Sequence, residues 1–333
     1  MSYDSDITYD GHLMKIVPNK SLVHPEYLAR YCLSDFARKF FISTAKHSTM
    51  TTIAQSDIAP LQVLIPPLPE QQKIAAILTS VDEVIENTQA QINKLKDLKT
   101  GMMQELLTRG VGVDGKPHTE FKDSPVGRIP KGWEVSTLGD EFQLSSGSTP
   151  SRKESTYFSS DQSAIPWVKT TNLNDSYILT TDEKITLKAL NETSCKLHPK
   201  GTALIAMYGG WNQIGRSGLL TGDATTNQAI VALVFKKRII GEFVNYWLIA
   251  NRHRWQSIAA SSRKDPNITK QDVSDFLIVV PSIQEQEDLV DRFDSLTQLI
   301  YKNQKKMDLV KNTKKALMQD LLTGKVRVKV DTE

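Results

Sequence analysis

The chain has 333 residues, 39% apolar and 24% charged, an ordinary globular composition with room for about two domains, which excludes a disordered or fibrous chain. Its two cysteines, Cys32 and Cys195, stand far apart without a partner motif, so neither a disulfide framework nor a cysteine zinc site is expected. The net charge of +3 is compatible with nucleic-acid binding without arguing for it, although residues 125–281 concentrate the excess, with 18 Lys/Arg against 14 Asp/Glu.

No run of 18 apolar residues occurs, so no membrane partner is expected. Residues 1–11 carry three aspartates and neither Lys nor Arg, unlike a signal peptide. The six histidines show no HxH or HxxxH pairing. The compartment reads as cytoplasm.

In chain order, residues 1–66 are understood through an internal repeat. Pro66-Pro67-Leu68-Pro69-Glu70-Gln71 lines up with Pro281-Ser282-Ile283-Gln284-Glu285-Gln286 at an offset of 215. The same offset pairs Met103-Gln104-Glu105-Leu106-Leu107-Thr108 with Met318-Gln319-Asp320-Leu321-Leu322-Thr323. One position further along, Pro25-Glu26-Tyr27-Leu28 resembles Gly241-Glu242-Phe243-Val244. Residues 1–66 therefore match roughly residues 216–281, the last part of a domain that is complete only in the second copy.

Residues 67–110 carry a seven-residue apolar period: Ile74, Val81, Thr88, Leu95 and Met102, with Ile77, Val84, Leu98 and Ile85 or Ile92 alongside. Residues 282–325 repeat it at Leu289, Leu296, Asn303, Val310 and Leu317, flanked by Phe293, Ile300, Met307 and Leu321. A heptad pattern sustained over about five repeats predicts a coiled-coil helix in each segment, a long amphipathic surface helix being the plainer alternative. Each would run roughly 38 residues, about 57 Å. Because a whole domain separates them, the two pack most naturally as an antiparallel pair with pseudo-two-fold symmetry. Two modules then stand a set distance apart, one to two DNA turns of about 34 Å each. Thr88 and Asn303 share one repeat position on the seam; either they face each other and fix register, or the coincidence is accidental.

Residues 111–125 read as a linker, and residues 126–281 as a complete, loop-rich α/β or α+β domain. Strands are expected at 134–135, 164–168, 177–179, 202–207 and 229–235, and a helix at 240–260. Its loops hold polar readers: Ser146, Thr149, Arg152 and Lys153; Lys169, Thr170 and Asn172; Trp211, Asn212, Gln213 and Arg216; Arg263, Lys264 and Asn267. Arg pairs with guanine and Asn or Gln with adenine, while Lys and hydroxyls hold phosphates. Turns and caps use the same residue types. Residues 326–333 form a tail.

The GxxxxGK[ST] phosphate loop, GxSxG, HExxH and an Asn-Pro-Pro-Tyr-like motif are all missing. The clusters Asp182-Glu183-Lys184 and Asp265-Pro266-Asn267 read as charged turns, and Glu70 and Glu285 as helix-start carboxylates favoured by the dipole. No catalytic residue and no metal ligand is assigned.

The constellation resembles the specificity subunits of type I restriction-modification systems. The carrying motifs are the repeated Pro-x-x-x-Glu-Gln helix opening and Ile129-Pro130-Lys131-Gly132-Trp133. With them come Gly147-Ser148-Thr149-Pro150-Ser151-Arg152, Ile165-Pro166-Trp167-Val168-Lys169 and Thr226-Asn227-Gln228-Ala229-Ile230. The resemblance implies target-recognition domains alternating with two helices in an antiparallel coiled coil, each domain reading half of a bipartite site on double-stranded DNA. It implies two methylation subunits and restriction subunits as partners, and leaves room for a second specificity chain. S-adenosylmethionine and ATP with magnesium belong to those partners, and this chain would carry no cofactor and catalyse nothing. About a hundred residues of the first recognition domain would be absent, which leaves a second reading: a truncated scaffold that gathers methylation subunits without recognising DNA.

Overall fold

The computed structural model describes residues 10, 12–45, 52–112, 116–259 and 267–330, which fall into two compact units: residues 1–94 with 299–333, and residues 95–298. Short helices open the chain: α1 (Pro25–Cys32), α2 (Asp35–Thr44) and α3 (Gln55–Ile58). Proline starts α1, where a missing N–H costs nothing, and the Ser34 hydroxyl caps α2 by accepting from Ala37 N at 3.2 Å. Then α4 (Leu68–Arg109) runs unbroken for 42 residues and ends at Gly110, whose φ of +70° suits a helix terminator.

The middle of the chain folds as β1 (Phe121–Lys122), β2 (Ile129–Pro130), β3 (Glu134–Thr137), α5 (Leu138–Glu141), β4 (Phe142–Ser146), β5 (Phe158–Ser159), β6 (Ile165–Val168), β7 (Ser176–Ile178), β8 (Glu183–Ile185) and α6 (Leu187–Glu192). It continues through β9 (Ala203–Ala206), β10 (Ser217–Leu220), β11 (Thr225–Thr226), β12 (Ile230–Phe235), α7 (Gly241–Ala250), α8 (His253–Ala259), α9 (Lys270–Ser274) and β13 (Leu277–Val280). The last element is α10 (Ile283–Leu322), 40 residues long.

One sheet has the order β4-β12-β9-β10-β7 and a second the order β11-β6-β8-β5; β13 pairs with β3, and β1 with β2. Every residue of β9 is buried because both faces are covered. Ala203 and Ile205 join the main core with Phe243, Trp247 and Phe293, whereas Leu204 and Ala206 join Val168, Leu173 and Ala224 on the other side. The expected strands coincide with β3, β6, β7, β9 and β12. The serines of β4 and the charged β8, expected as loop and turn, are strands instead. The expected helix at 240–260 divides into α7 and α8 around Asn251.

The seam residues divide by depth. Ile74, Thr88 and Leu289 are buried; Val81, Leu95, Met102, Leu296, Asn303, Val310 and Leu317 are half-buried. Leu78, Ile85 and Ile92 complete the α4 stripe, while Val84 and Leu98 face solvent and so fall outside it. Thr88 Oγ1 donates to Val84 O at 2.7 Å and Asn303 Nδ2 to Leu299 O at 2.9 Å, so each polar seam residue is satisfied by its own helix. In the first unit, Ile74 and Leu78 of α4 share a core with Leu321 and Leu322 of α10 and with Tyr27 and Tyr31. In the second, Met103 and Leu107 share one with Leu289 and Phe293. The start of each long helix thus meets the end of the other, an antiparallel coiled coil.

The repeated Glu-Gln pair explains how each helix start is fixed. Gln71 accepts from His24 N and donates to Leu22 O and Pro66 O; Gln286 accepts from Ile240 N and donates to Arg238 O and Pro281 O. Both amides are fully buried, and the match is residue for residue. Glu285 accepts from Val111 N, Gly112 N, His118 and Trp133 Nε1, while Glu70 binds Arg327 and Val328 N. Each carboxylate therefore ties down the chain that leaves the opposite helix, a role beyond the dipole effect expected of it. Among the described residues no helix is long and apolar enough to cross a membrane.

Candidate nucleic-acid interface

The second unit links several of the expected readers through shared contacts. The loop after β4 is the first element. Gly147 sits where a Cβ would lie 2.1 Å from Asn227 O, so only glycine lets this loop approach the turn before β12. Ser148 N donates to Thr226 O at 2.9 Å, and Thr149 Oγ1 bonds the side chain of Gln228. Gln228 in turn offers its carbonyl to Tyr208 OH at 3.1 Å. A cleft of about 700 Å³ opens beside these groups, lined by Ser146, Tyr208, Gln228, Asn267 and Lys270 among others.

The 208–216 loop follows β9. It presents Trp211, 48% exposed, and Asn212 to solvent, with Gln213 and Arg216 half-buried behind them. Gly209 and Gly210 hold φ of +119° and +80°, which permits the tight return of Gln213 N to Gly210 O at 2.9 Å. The Gly209 backbone approaches Thr170, whose short 3₁₀ turn lies at the end of β6. Asn172 closes that turn by accepting from Lys169 N at 2.9 Å.

Arg152 and Lys169 meet on a single carboxylate. Arg152 reaches Glu183 at 2.5 Å and Lys169 reaches it at 2.6 Å, and the Arg152 guanidinium lies over the rings of Phe158 and Trp167. Hydrogen bonds from Arg152 and then Lys169 hold the Glu183 carboxyl at about 2, well below the usual 4.5. These two cations are therefore largely occupied. Lys153, Arg216 and Lys270 are not: among the described residues no ion pair engages them. Arg263 and Lys264 lie outside the described residues. Gln228, Lys270 and Glu183 fall outside the expected set; Gln228 sits in a motif already quoted, but its contacts with Thr149 and Tyr208 are what tie it to these loops.

A shallow cleft lined by Ser146, Tyr208, Gln228, Asn267 and Lys270 offers hydroxyls, amides and one cation, a lining that suits a polyanion with readable edges.

A family model described as "Type I restriction modification DNA specificity domain" matches residues 2–97 and 130–312. A protein of Methanocaldococcus jannaschii assigned as the MjaX specificity subunit of a type I restriction enzyme is 29% identical over 329 residues, covering 96% of this chain and 72% of that one. The MjaVIII specificity subunit of the same organism is 28% identical over 301 residues, covering 87% and 68%. The type I S subunit of M. genitalium shares the fold with a TM-score of 0.59 at 15% identity, over 91% of this chain and 74% of that one. A chain from a structure of type I R-M complex assembly shares it with a TM-score of 0.60 at 18% identity, over 92% and 73%.

Proposed function

The chain belongs to the type I restriction modification DNA specificity family, and we propose that it is the sequence-specific DNA-binding subunit of such a complex. Residues 126–281 read one half of a bipartite target on double-stranded DNA. The antiparallel helices hold two methylation subunits, to which restriction subunits add. The chain carries no catalytic residue of its own; S-adenosylmethionine, ATP and magnesium are used by its partners. The carrying observation is that the loop after β4 and the start of the 208–216 loop are joined through Gln228 beside a cleft that Asn267 and Lys270 line, with no ion pair on Lys270 among the described residues. Phosphate contacts would come from Lys153, Arg216, Lys270 and the hydroxyls, and base contacts from Asn212, Gln213 and Asn267.

A scaffold that assembles methylation subunits without specific recognition is the second reading. The first unit favours it: ahead of α4 its described residues form three short helices and none of the reading loops. Co-expression with the cognate methylation subunit, followed by mapping of methylated adenines, separates the two. A methylated motif with two defined halves supports recognition. A stable complex that methylates no motif supports the scaffold.

A further inference from the structure

Three carbonyl and carboxylate contacts converge on one side chain that the loop composition does not single out. Arg252, at the junction of α7 and α8, donates through Nη2 to Asn212 O at 2.7 Å and through Nε to Ile214 O at 3.5 Å. Both acceptors are backbone atoms of the 208–216 loop. Its remaining fork arm, Nη1, pairs with Asp175 at 3.1 Å. Planar and pre-organised, the guanidinium fixes three directions at once, which an ammonium cannot do.

Asp175 is itself held in an unusual way. With φ of +54° it is the one non-glycine residue in the left-handed region among those described, a conformation that costs roughly 1 kcal/mol or more. It keeps that shape through a closed pair of bonds with Ser217: Asp175 N donates to Ser217 O at 2.9 Å, and Ser217 N donates to Asp175 Oδ1 at 3.0 Å. Ser217 begins β10, immediately after the loop ends. The other carboxylate oxygen is thereby aimed at Arg252. Behind the loop, Gly215 (φ +68°) packs so closely on Trp255 that a Cβ would sit 2.2 Å from the indole. The loop's base is thus rigid while its tip, Trp211 and Asn212, stands in solvent.

Rigidity behind an exposed aromatic tip is how a binding surface avoids the entropy of ordering a loop on contact. We propose that Arg252, locked on Asp175, is a positioning residue for DNA reading: it holds the 208–216 loop so that Trp211 and Asn212 meet the groove, and thereby decides which base that loop selects. This rests on the recognition reading above. Arg252 need touch no DNA itself, because two of its arms are spent on loop carbonyls and the third on Asp175.

The test uses the full chain co-expressed with its methylation subunit, read as the frequency of methylated adenines at each variant of the target motif. Arg252→Lys keeps the charge and loses the fork; Asp175→Asn keeps the bond from Ser217 and loses the ion pair. Trp211→Ala removes the tip. All three should relax the same one or two base positions, lowering discrimination there about tenfold to a hundredfold, and leave the other positions intact. Unfolding midpoints of the purified chains, followed in parallel, should stay near the parent's for Trp211→Ala and Arg252→Lys. A uniform loss of methylation across all positions, an unchanged motif, or relaxation at positions different from those of Trp211→Ala would each overturn the inference while leaving the recognition reading standing. Absence of any motif from the parent chain would instead sink that reading, and this inference with it.

Discussion

Removing the Glu285 carboxylate should unfold the second unit far more readily than removing its repeat counterpart Glu70 unfolds the first. Glu285 is 2% exposed and accepts four bonds: Val111 N and Gly112 N at 3.0 Å, His118 Nε2 at 2.9 Å and Trp133 Nε1 at 2.8 Å. In Glu285→Ala, the indole N–H of Trp133 and the amide of Gly112 are left in buried surroundings, each costing about 1–3 kcal/mol. His118 and Val111, only half-buried, regain water and cost less. Allowing for non-additivity, the loss is about 3–5 kcal/mol, a large part of a domain's stability. At about 2–4 °C per kcal/mol for a unit of this size, Tm should fall by roughly 10 °C. Glu70 differs because its main partner, Arg327, is 68% exposed and rehydrates when freed, so Glu70→Ala should cost about 1–2 kcal/mol. All five tryptophans lie within residues 95–298, so urea unfolding followed by tryptophan fluorescence reports the second unit. Circular dichroism reports both units. Glu285→Ala should shift the fluorescence transition; Glu70→Ala should leave it in place. Equal fluorescence shifts for the two variants would refute the assignment of the cost to buried orphan donors.

Three further outcomes follow from the surface and from the titrating groups. Lys153→Ala and Arg216→Ala should each weaken DNA binding alike across target sequences and lower the salt slope by roughly one, measured by anisotropy over a range of ionic strength; a change confined to one base position would contradict the phosphate role. Glu183 has its folded pKa depressed from 4.5 to about 2 by Arg152 and Lys169, so its contribution is fully present above pH 4.5 and is lost as pH falls through 2. Glu183→Gln should flatten stability against pH in that window, and identical acid-unfolding curves for the two proteins would rule the pairing out. His198 is 2% exposed with Nε2 unpartnered among the described residues, and burial pushes its pKa below 6.5. The unfolded chain then binds the proton first, so stability should drop as pH falls below 6.5; His198→Gln should remove that slope in urea midpoints compared at pH 7.5 and 5.5, and a slope that persists would refute it.

What the sequence revealed and what it hid divide along the range of the interactions. The two long helices were legible because a seven-residue period is local and was repeated about five times. Val84 and Leu98 misled because several apolar residues flanked the seam and only the partner's position decides which of them is covered. Strand β9 announced itself as an apolar run. Strand β8 did not, because Glu183 looks like a turn residue until Arg152 and Lys169, 31 and 14 positions away, neutralise it. The loops proposed to read DNA stand out in the sequence by their stock of hydroxyls, amides and cations. Their support does not: Arg252 meets Asn212 across 40 positions and Asp175 across 77, and no local pattern encodes either contact.

The repeat also shows how the helix pair specifies its own direction. Lys99 and Lys314 occupy equivalent positions, yet their surroundings are built differently. In the first unit Lys314 pairs with Asp82 at 2.5 Å, and Arg30 bonds both Asp82 and Thr79. In the second, Lys99 lies 4.9 Å from the Tyr246 ring, burial lowers its pKa, and the charge of Asp294 opposes that shift; Asp294 is bonded by Tyr246 and Tyr177. Thr79 and Asp82 become Asp294 and Thr297 at the repeat offset, so the carboxylate has moved by three positions, which keeps it on the same face of its helix. Through that exchange each unit retains one cation on the helix that ends there and one anion on the helix that begins there. Turned parallel in the same register, the pair would set Lys99 against Lys314, and like charges in a half-buried seam cost several kcal/mol. The antiparallel arrangement is therefore chosen by charge as well as by the apolar stripe, which reads the same in both directions and could not make the choice alone.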